Sequence, residues 1–101
     1  MAGKMEHHDL LSGLVRLHVL HHAAEAPIYG QWMIDELAHH GYRLSPGTLY
    51  PMLTRIRRDG YLTSRSARDG RTVRKLYTIT DKGLAVARLR LRELVREAGQ
   101  E

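Results

Sequence analysis

Apolar residues recur at helical spacing along the N-terminal part of the chain. A first helix is predicted over residues 9–25, where apolar side chains cover so much of the surface that more than one side should be buried. Pro27 ends this helix, because the residue before a proline resists helical geometry. A second helix is predicted over residues 29–40 and stops at Gly41. Its inner side is expected to contain Trp32, Met33, Leu37 and His40.

A third helix is predicted over residues 46–59, with Ser45 as its N-cap and Pro46 in its first turn. One side of this helix is apolar and should pack on the core; it consists of Leu49, Met52, Leu53 and Ile56. The opposite side consists of Gly47, Pro51, Thr54 and Arg58, flanked by Tyr50, Arg55 and Arg57. Because Pro51 lacks a backbone N–H, the sequence favours a helix that starts at Gly47 or Thr48.

Alternation replaces helical spacing after Gly60. Residues 61–67 and 72–80 are rich in Thr, Val, Tyr and Ile and predict a hairpin around Asp69-Gly70, a strong turn signal. This turn would place residue 68 opposite 71, 65 opposite 74 and 62 opposite 77. Two of these pairs are Arg facing Arg, so we expect the tip to be loose unless a phosphate is bound.

A last helix is predicted over residues 81–98, capped by Thr80 or Asp81. Its apolar residues follow a heptad-like spacing, so a second subunit is the expected partner. The predicted fold class is mainly α (α+β), a winged helix-turn-helix with a C-terminal dimerisation helix. The predicted domains are a flexible N-terminus at 1–8, a winged-helix DNA-binding domain at 9–80 and the dimerisation helix at 81–101.

Positive charge is concentrated in one segment of the chain. The formal net charge is +5, yet residues 55–75 contain seven Arg and Lys75 against Asp59 and Asp69, a net of +6. Residues 1–54 have a net charge of −2 and residues 76–101 a net charge of +1. Arginine binds phosphate and guanine better than lysine does, so this segment favours a nucleic acid partner over a merely solvated basic surface.

Several classes of protein are excluded by what the sequence lacks. The chain contains no Cys, which excludes disulfides and thiolate metal sites and fits a cytoplasmic location. No apolar run approaches the roughly 18 residues of a membrane span, and the first residues lack a secretory signal core. Phosphate-binding loops, dinucleotide motifs and nucleophile motifs are also missing, so we expect neither an enzyme nor a bound cofactor.

Five short motifs make the prediction more specific. They are YG at 29–30, SPGTLYPML at 45–53, DGYL at 59–62, RKLYTIT at 74–80 and Gly83. Together they resemble the PadR-like family of transcriptional regulators over about residues 10–90. The resemblance implies a homodimeric winged-helix repressor of the short subgroup, which binds a palindromic operator and builds its dimer from the first and last helices. Some short members stack flat aromatic compounds on a Trp of the terminal helix, whereas the single Trp here is Trp32.

The candidate functional residues follow from the charge pattern and the resemblance. Those expected at double-stranded DNA are Thr48, Tyr50, Thr54, Arg55, Arg57, Arg58, Arg68, Arg71, Arg74 and Lys75. Within this set, proximity to DNA is implied by the resemblance for Thr48, Tyr50, Arg74 and Lys75. The expected dimer interface consists of Leu10, Leu14, Leu17, Leu84, Leu91 and Leu94. Tyr77 is expected in the core. The sequence does not identify the small-molecule effector.

Seven histidines leave an alternative function open, a regulator that senses a metal or a small ligand through its first helix. His18 and His22 are one helical turn apart, a spacing that can place two imidazoles on one ion. Two ligands make a weak site unless a partner subunit adds more. Surface or interface histidines are therefore the simpler interpretation, with His18 and His22 as weak candidate ligands.

Overall fold

The computed structural model describes the backbone of residues 2–89 and the side chains of residues 12–89 other than Asp69. The elements are α1 (Ala2–Glu25), β1 (Ile28–Tyr29), α2 (Gly30–His39), α3 (Pro46–Arg58), β2 (Leu62–Asp69), β3 (Thr72–Ile79) and α4 over residues 81–89. The predicted order of helices and hairpin is confirmed, with β1 as an addition. Within this part of the chain, none of the helices has the length and apolar character that crossing a membrane requires.

The first helix is longer than predicted. α1 begins at Ala2, ahead of the expected start at Asp9, so most of the segment predicted to be flexible is helical. Ala, Lys, Met and Glu occupy several of these positions and are good helix formers, and no Pro precedes Asp9 to stop the helix. Leu10, a predicted interface residue, lies in this helix, but its side chain is outside the described residues.

β1 is the element that the sequence did not predict. Ile28 pairs with Tyr77 and Tyr29 with Leu76, both antiparallel, which gives the sheet order β1-β3-β2. Tyr29 is also the N-cap of α2 and has an extended backbone (φ −95°, ψ 148°). Main-chain pairing therefore attaches the start of α2 directly to the hairpin.

The hairpin of β2 and β3 forms with a register two residues away from the predicted one. Its loop is Gly70-Arg71, so that Arg68 lies opposite Val73 and Arg65 lies opposite Leu76. Gly70 has a φ of +64° while Arg71 has no positive φ, the arrangement of a type II′ turn. The expected pairs of directly opposed arginines do not form, so the repulsion from which a loose tip was predicted is missing.

α3 begins at Pro46, so the expected start at Gly47 or Thr48 is also wrong. The backbone carbonyl of Ser45 accepts hydrogen bonds from the N–H groups of Thr48 and Leu49, both at 3.0 Å, which closes the first turn ahead of Pro51. Ser45 occupies the N-cap position without a side-chain capping hydrogen bond. Pro51 omits one helical hydrogen bond on the exposed side, where water can take its place.

The core lies between the sheet and all four helices. The predicted inner side of α3 is confirmed, because Leu49, Leu53 and Ile56 are buried and Met52 packs against them. Each fully buried leucine contributes about 1.5–3 kcal/mol to folding. Trp32 is 46% exposed and lies outside the core, contrary to prediction. α2 instead buries Gly30, Met33 and Leu37.

The connection between α3 and β2 is bonded to the start of α4. The carbonyl of Gly60 accepts a hydrogen bond from the Thr80 hydroxyl (2.6 Å). The same hydroxyl oxygen accepts the N–H of Gly83 (3.1 Å), so Thr80 is the N-cap of α4, as predicted. Lys82 places its Nζ 4.5 Å from the centre of the Tyr61 ring. The DGYL motif and the Thr80–Gly83 segment thus form one junction.

Candidate nucleic-acid interface

The side of α3 that faces away from the core carries all the helix residues predicted to contact DNA. The side chains of Thr48, Arg55, Arg57 and Arg58 are exposed, and Thr54 is half-buried. Tyr50 is 39% exposed at the flank of the helix. Because Leu49, Leu53 and Ile56 hold the other side in the core, these polar residues lie on the remaining surface of the helix.

The hairpin, or wing, carries the second predicted group. Arg68, Arg71, Arg74 and Lys75 are all exposed. Successive residues of a strand point to opposite faces, so Lys75 shares a face with Tyr77, while Arg74 lies on the other face. The wing therefore presents cationic groups on both of its faces.

A groove of about 340 Å³ lies between α3, the start of α2 and the wing, and it brings Tyr50 of the first group beside Arg74 and Lys75 of the second. α3 contributes Tyr50, β3 contributes Val73, Arg74 and Lys75, and the start of α2 contributes Gln31. A phenol hydroxyl and two cations along one groove are donors of the kind that bind a phosphate chain. The sequence did not assign Gln31, because its place beside the wing depends on the pairing of β1 with β3.

The orientation of Tyr50 in this groove depends on a glycine in α2. A Cβ added to Gly30 would lie 2.5 Å from Cε1 of Tyr50 and 2.6 Å from both its Cζ and its hydroxyl oxygen. Such distances are far below van der Waals contact, so the ring occupies the space that a side chain at position 30 would need. The YG and GTLYP motifs are therefore two halves of one contact.

A second cavity, of about 380 Å³, lies between α1, the α2–α3 connection and α3. Thr48 and Arg55 line it, together with Arg16 and Arg43, which the sequence analysis did not assign. These arginines come from three separate elements, so only the folded chain places them around one cavity. The one available signal was that Arg16 and Arg43 are bases in an otherwise acidic part of the sequence.

Within the described side chains, the basic groups of this surface have no ion pair with a neighbouring acid. Among the described side chains, ion pairs connect only histidines with glutamates, and none involves an arginine or lysine of α3 or the wing. The positive charge of the described arginines and of Lys75 is therefore available to a partner. A surface of this kind attracts polyanions, and the attraction weakens as salt concentration rises.

Tyr77 belongs to the core, as predicted, although it pairs with Ser64 rather than with Leu62. Burial raises the pKa of the Tyr77 hydroxyl; Tyr50 raises it further and Arg57 lowers it. Tyr77 is therefore a neutral phenol near neutral pH and supports the sheet without contributing charge to the site.

Three of the predicted dimer residues have described side chains, and each of them is partly exposed in the single chain. Leu14 is 42% exposed, and Leu17 and Leu84 are half-buried. Leu91 and Leu94 lie outside the described residues. Ala87, an apolar residue of α4, is buried in the core of the monomer.

His18 and His22 of α1 lie against the C-terminal end of α2. The rings of His18 and His22 are 6.4 Å apart, but the closest group of ligand atoms belongs to His22, Glu36 and His40, all within 4.8 Å of one another. Burial and the imidazoles of His40, His22 and His21 lower the pKa of His18. The sequence analysis missed Glu36 and His40, although their spacing of four residues was a usable signal.

The helix pair α2–α3 followed by a hairpin and a further helix defines a winged helix-turn-helix protein. Residues 19–89 match the model of the transcriptional regulator PadR-like family. The chain belongs to this family, whose members are transcriptional regulators rather than enzymes. The resemblance recognised from the sequence motifs is confirmed.

Three relatives illustrate the match. Transcriptional regulator Rv3488 of Mycobacterium tuberculosis (strain ATCC 25618 / H37Rv) is 51% identical over 87 residues, which cover 82% of this chain and 80% of the relative. A PadR family transcriptional regulator from Eggerthella lenta DSM 2243 is 32% identical, with a TM-score of 0.68 over 95% of each chain. Bacillus subtilis PadR, solved in complex with operator DNA, is 20% identical, with a TM-score of 0.70 over 77% of this chain and 45% of that chain. At that identity the last comparison supports the fold alone.

Proposed function

We propose that the protein is a homodimeric repressor that binds a palindromic operator and releases it when a small-molecule effector binds. In each subunit α3 enters one of two successive major grooves, about 34–36 Å apart. Thr54, Arg55 and Arg58 contact base edges, while Thr48, Tyr50, Arg57 and the basic residues of the wing contact phosphates. An effector at the dimer centre would change the spacing of the two α3 helices and so favour release.

The groove between α3 and the wing is the observation that carries this proposal. It lines up Tyr50, Arg74 and Lys75, which are up to 25 positions apart in the sequence, along one concave surface. Bacillus subtilis PadR, which has the same fold, was solved in complex with operator DNA. An operator complex of the present chain would use this groove for the phosphate backbone.

Operator binding is tested with DNA fragments selected from a random library by the purified protein. Arg58→Ala should reduce discrimination between the selected site and a one-base variant, by about 1–3 kcal/mol at the position that Arg58 contacts. Lys75→Ala should weaken binding to all sequences alike and reduce the salt slope by about one unit. Fluorescence anisotropy at several salt concentrations measures both effects.

Arg88→Ala is the matched control, because Arg88 is an exposed arginine of α4 outside residues 55–75. It should leave sequence discrimination unchanged. If Arg58→Ala and Lys75→Ala both bind the selected site as the unmodified protein does, the assigned interface is wrong.

The proposed dimer is supported by the leucines left at the surface of α1 and α4. Leu14 is 42% exposed and Leu89 is 53% exposed, a costly arrangement unless a partner covers them. Leu14→Glu should convert the dimer to a monomer in light scattering after gel filtration. Ala38→Glu adds the same charge at an exposed position of α2 and should leave the dimer intact. A Leu14→Glu protein that remains dimeric would remove α1 from the interface.

A further inference from the structure

Three side chains with metal-binding atoms converge where the end of α2 meets α1. We propose that His22, Glu36 and His40 form a site for a divalent transition metal ion of the zinc, cobalt and nickel class. The site shares only His22 with the pair that the sequence suggested, and it takes its other two ligands from Glu36 of α2 and from His40, the C-cap of that helix.

The distances match a coordination sphere with little adjustment. Nε2 of His22 lies 3.8 Å from Oε1 of Glu36, and Nε2 of His40 lies 3.3 Å from the same oxygen. All three ligand atoms lie within 4.8 Å of one another. Ligands of a tetrahedral zinc ion, bound at 2.0–2.1 Å, are about 3.3 Å apart, so small side-chain rotations bring the three groups onto one ion.

Local structure holds these groups in place before an ion binds. Glu36 and His40 are one turn apart at the end of α2, so they share a side of the helix. The side chain of His22 approaches from α1 and is largely buried, while Glu36 is partly buried and His40 is half-exposed. An ion can therefore enter from solvent on the His40 side and reach the deeper His22.

An ordinary surface pair in the same molecule shows what distinguishes this cluster. His21 and Glu25 are also four residues apart, with a distance of 3.4 Å between Nε2 and Oε1. Among the described residues, that pair belongs to no group of three ligand atoms. His22 makes the difference, because it adds a third ligand from another helix.

The donor atoms indicate which ions fit. Two imidazole nitrogens and one carboxylate oxygen suit zinc, cobalt and nickel, whereas calcium and magnesium prefer sites made wholly of oxygen. Three protein ligands leave one tetrahedral position for water or a further side chain. The ring of His18 is near, with its centre 5.2 Å from that of His40. Structural zinc sites use four protein ligands, so an open position favours exchangeable binding.

The location also connects the ion to the DNA-binding surface, a consequence that rests on the proposed function. His40 is the C-cap of α2, and the α2–α3 connection that follows it leads into α3. An ion that ties His40 to α1 therefore restrains the segment that positions α3. Metal binding should therefore change the affinity for the operator. The affinity rises if both ligands favour the same geometry of the α2–α3 connection, and it falls if they favour different geometries.

The test uses the single tryptophan of the chain as a reporter. The ring of Trp32 lies 5.4 Å from that of His22, so a bound nickel or cobalt ion should quench its fluorescence. Titration of the full chain with NiCl₂ should give saturable quenching at one ion per chain, and CoCl₂ should produce the visible absorption of tetrahedral or five-coordinate cobalt. His22→Gln, Glu36→Gln and His40→Gln should each weaken binding about tenfold or more.

His21→Gln is the matched control and should bind as the unmodified chain does, and circular dichroism should show that all four variants fold. Binding that is equally strong in the three ligand variants would overturn the site, as would the absence of saturable binding at millimolar metal. Neither measurement involves DNA, so the site can fail while operator binding stands. Operator titrations with and without ZnCl₂ test the coupling, and equal affinities would overturn the coupling alone.

Discussion

Gly83 and Gly30 both lie where a Cβ would not fit, but the atoms that surround them differ in kind. Around Gly83 a Cβ would meet the backbone carbonyl of Tyr61 and, at 2.8 Å, Cγ1 of Ile79. Around Gly30 the nearest atoms all belong to the side chain of Tyr50, which is partly exposed and free to turn away. Backbone cannot move without changing the path of the chain, whereas an exposed ring can.

The two glycines therefore have different roles. Gly83 allows α4 to approach the connection between α3 and β2, so it belongs to the structural junction around Thr80. Gly30 lets a side chain of the proposed DNA surface lie flat against the start of α2. A substitution at the first position should destabilise the fold, and one at the second should impair binding.

Gly83→Ala should have the largest effect. We expect the free energy of unfolding to fall by about 2–3 kcal/mol, because the methyl group collides with backbone. Alanine improves helix propensity by up to about 1 kcal/mol, which is too little to compensate. Urea denaturation at one fixed chain concentration measures the change. Gly13→Ala is the control: nothing lies within 4 Å of its Cβ position in α1, and stability should rise slightly.

Thr80→Val tests the same junction through its hydrogen bonds and should have the next largest effect. The variant loses the bond to the Gly60 carbonyl and the cap of Gly83, at a cost of about 1–2 kcal/mol in the free energy of unfolding. Thr63→Val removes only a 3.4 Å exposed hydrogen bond and should change stability by less than about 0.5 kcal/mol. An equal loss in the free energy of unfolding in the two variants would show that the hydrogen bonds of Thr80 are no more important than that of Thr63.

Gly30→Ala should separate binding from stability. The free energy of unfolding should change by less than about 1 kcal/mol, since the displaced ring can move into solvent and alanine favours the helix. Operator affinity should fall about five- to tenfold, close to 1 kcal/mol, as in Tyr50→Ala. The double variant should bind no more weakly than Tyr50→Ala alone. If anisotropy titrations show that the losses of operator affinity in the two single variants add up in the double variant, position 30 does not act through Tyr50.

Gly70→Ala tests a third kind of glycine, one whose Cβ position is open but whose φ is positive. No atom lies within 4 Å of its Cβ position, so space is available, but its φ of +64° disfavours alanine. We expect a loss of about 1 kcal/mol in the free energy of unfolding, from backbone conformation alone. A hairpin that tolerates Gly70→Ala without loss would indicate that its loop is not Gly70-Arg71.

The sequence predicted those parts of the fold that depend on local periodicity. The buried side of α3 was assigned correctly because Leu49, Leu53 and Ile56 repeat with the period of a helix. The hairpin was found, but its register was missed by two residues. A shift of two leaves every side chain on the same face, so the apolar pattern cannot distinguish the two registers. The turn determines which of the two registers forms, and in the structure Gly70 occupies the first position of the loop.

Features that depend on tertiary contacts could not be predicted from local sequence patterns. β1 is two residues long, too short for an alternating pattern, and exists because Ile28 and Tyr29 pair with β3. Trp32 was assigned to the core on hydrophobicity, yet Met33 and Leu37 already fill the inner side of α2. His22 and His40 come from different helices, so their proximity appears only after folding. The exposed arginines were easier, since charge at that density stays at the surface.

The shortness of α2 has a mechanical consequence. Ten residues at about 1.5 Å each make a rod of about 15 Å, stiff on that length. One end of the rod is attached through Tyr29 to the strand that carries Arg74 and Lys75, and the other end abuts the imidazole cluster. A tilt imposed at either end must appear at the opposite end, so a signal needs no relay of side chains to travel between them.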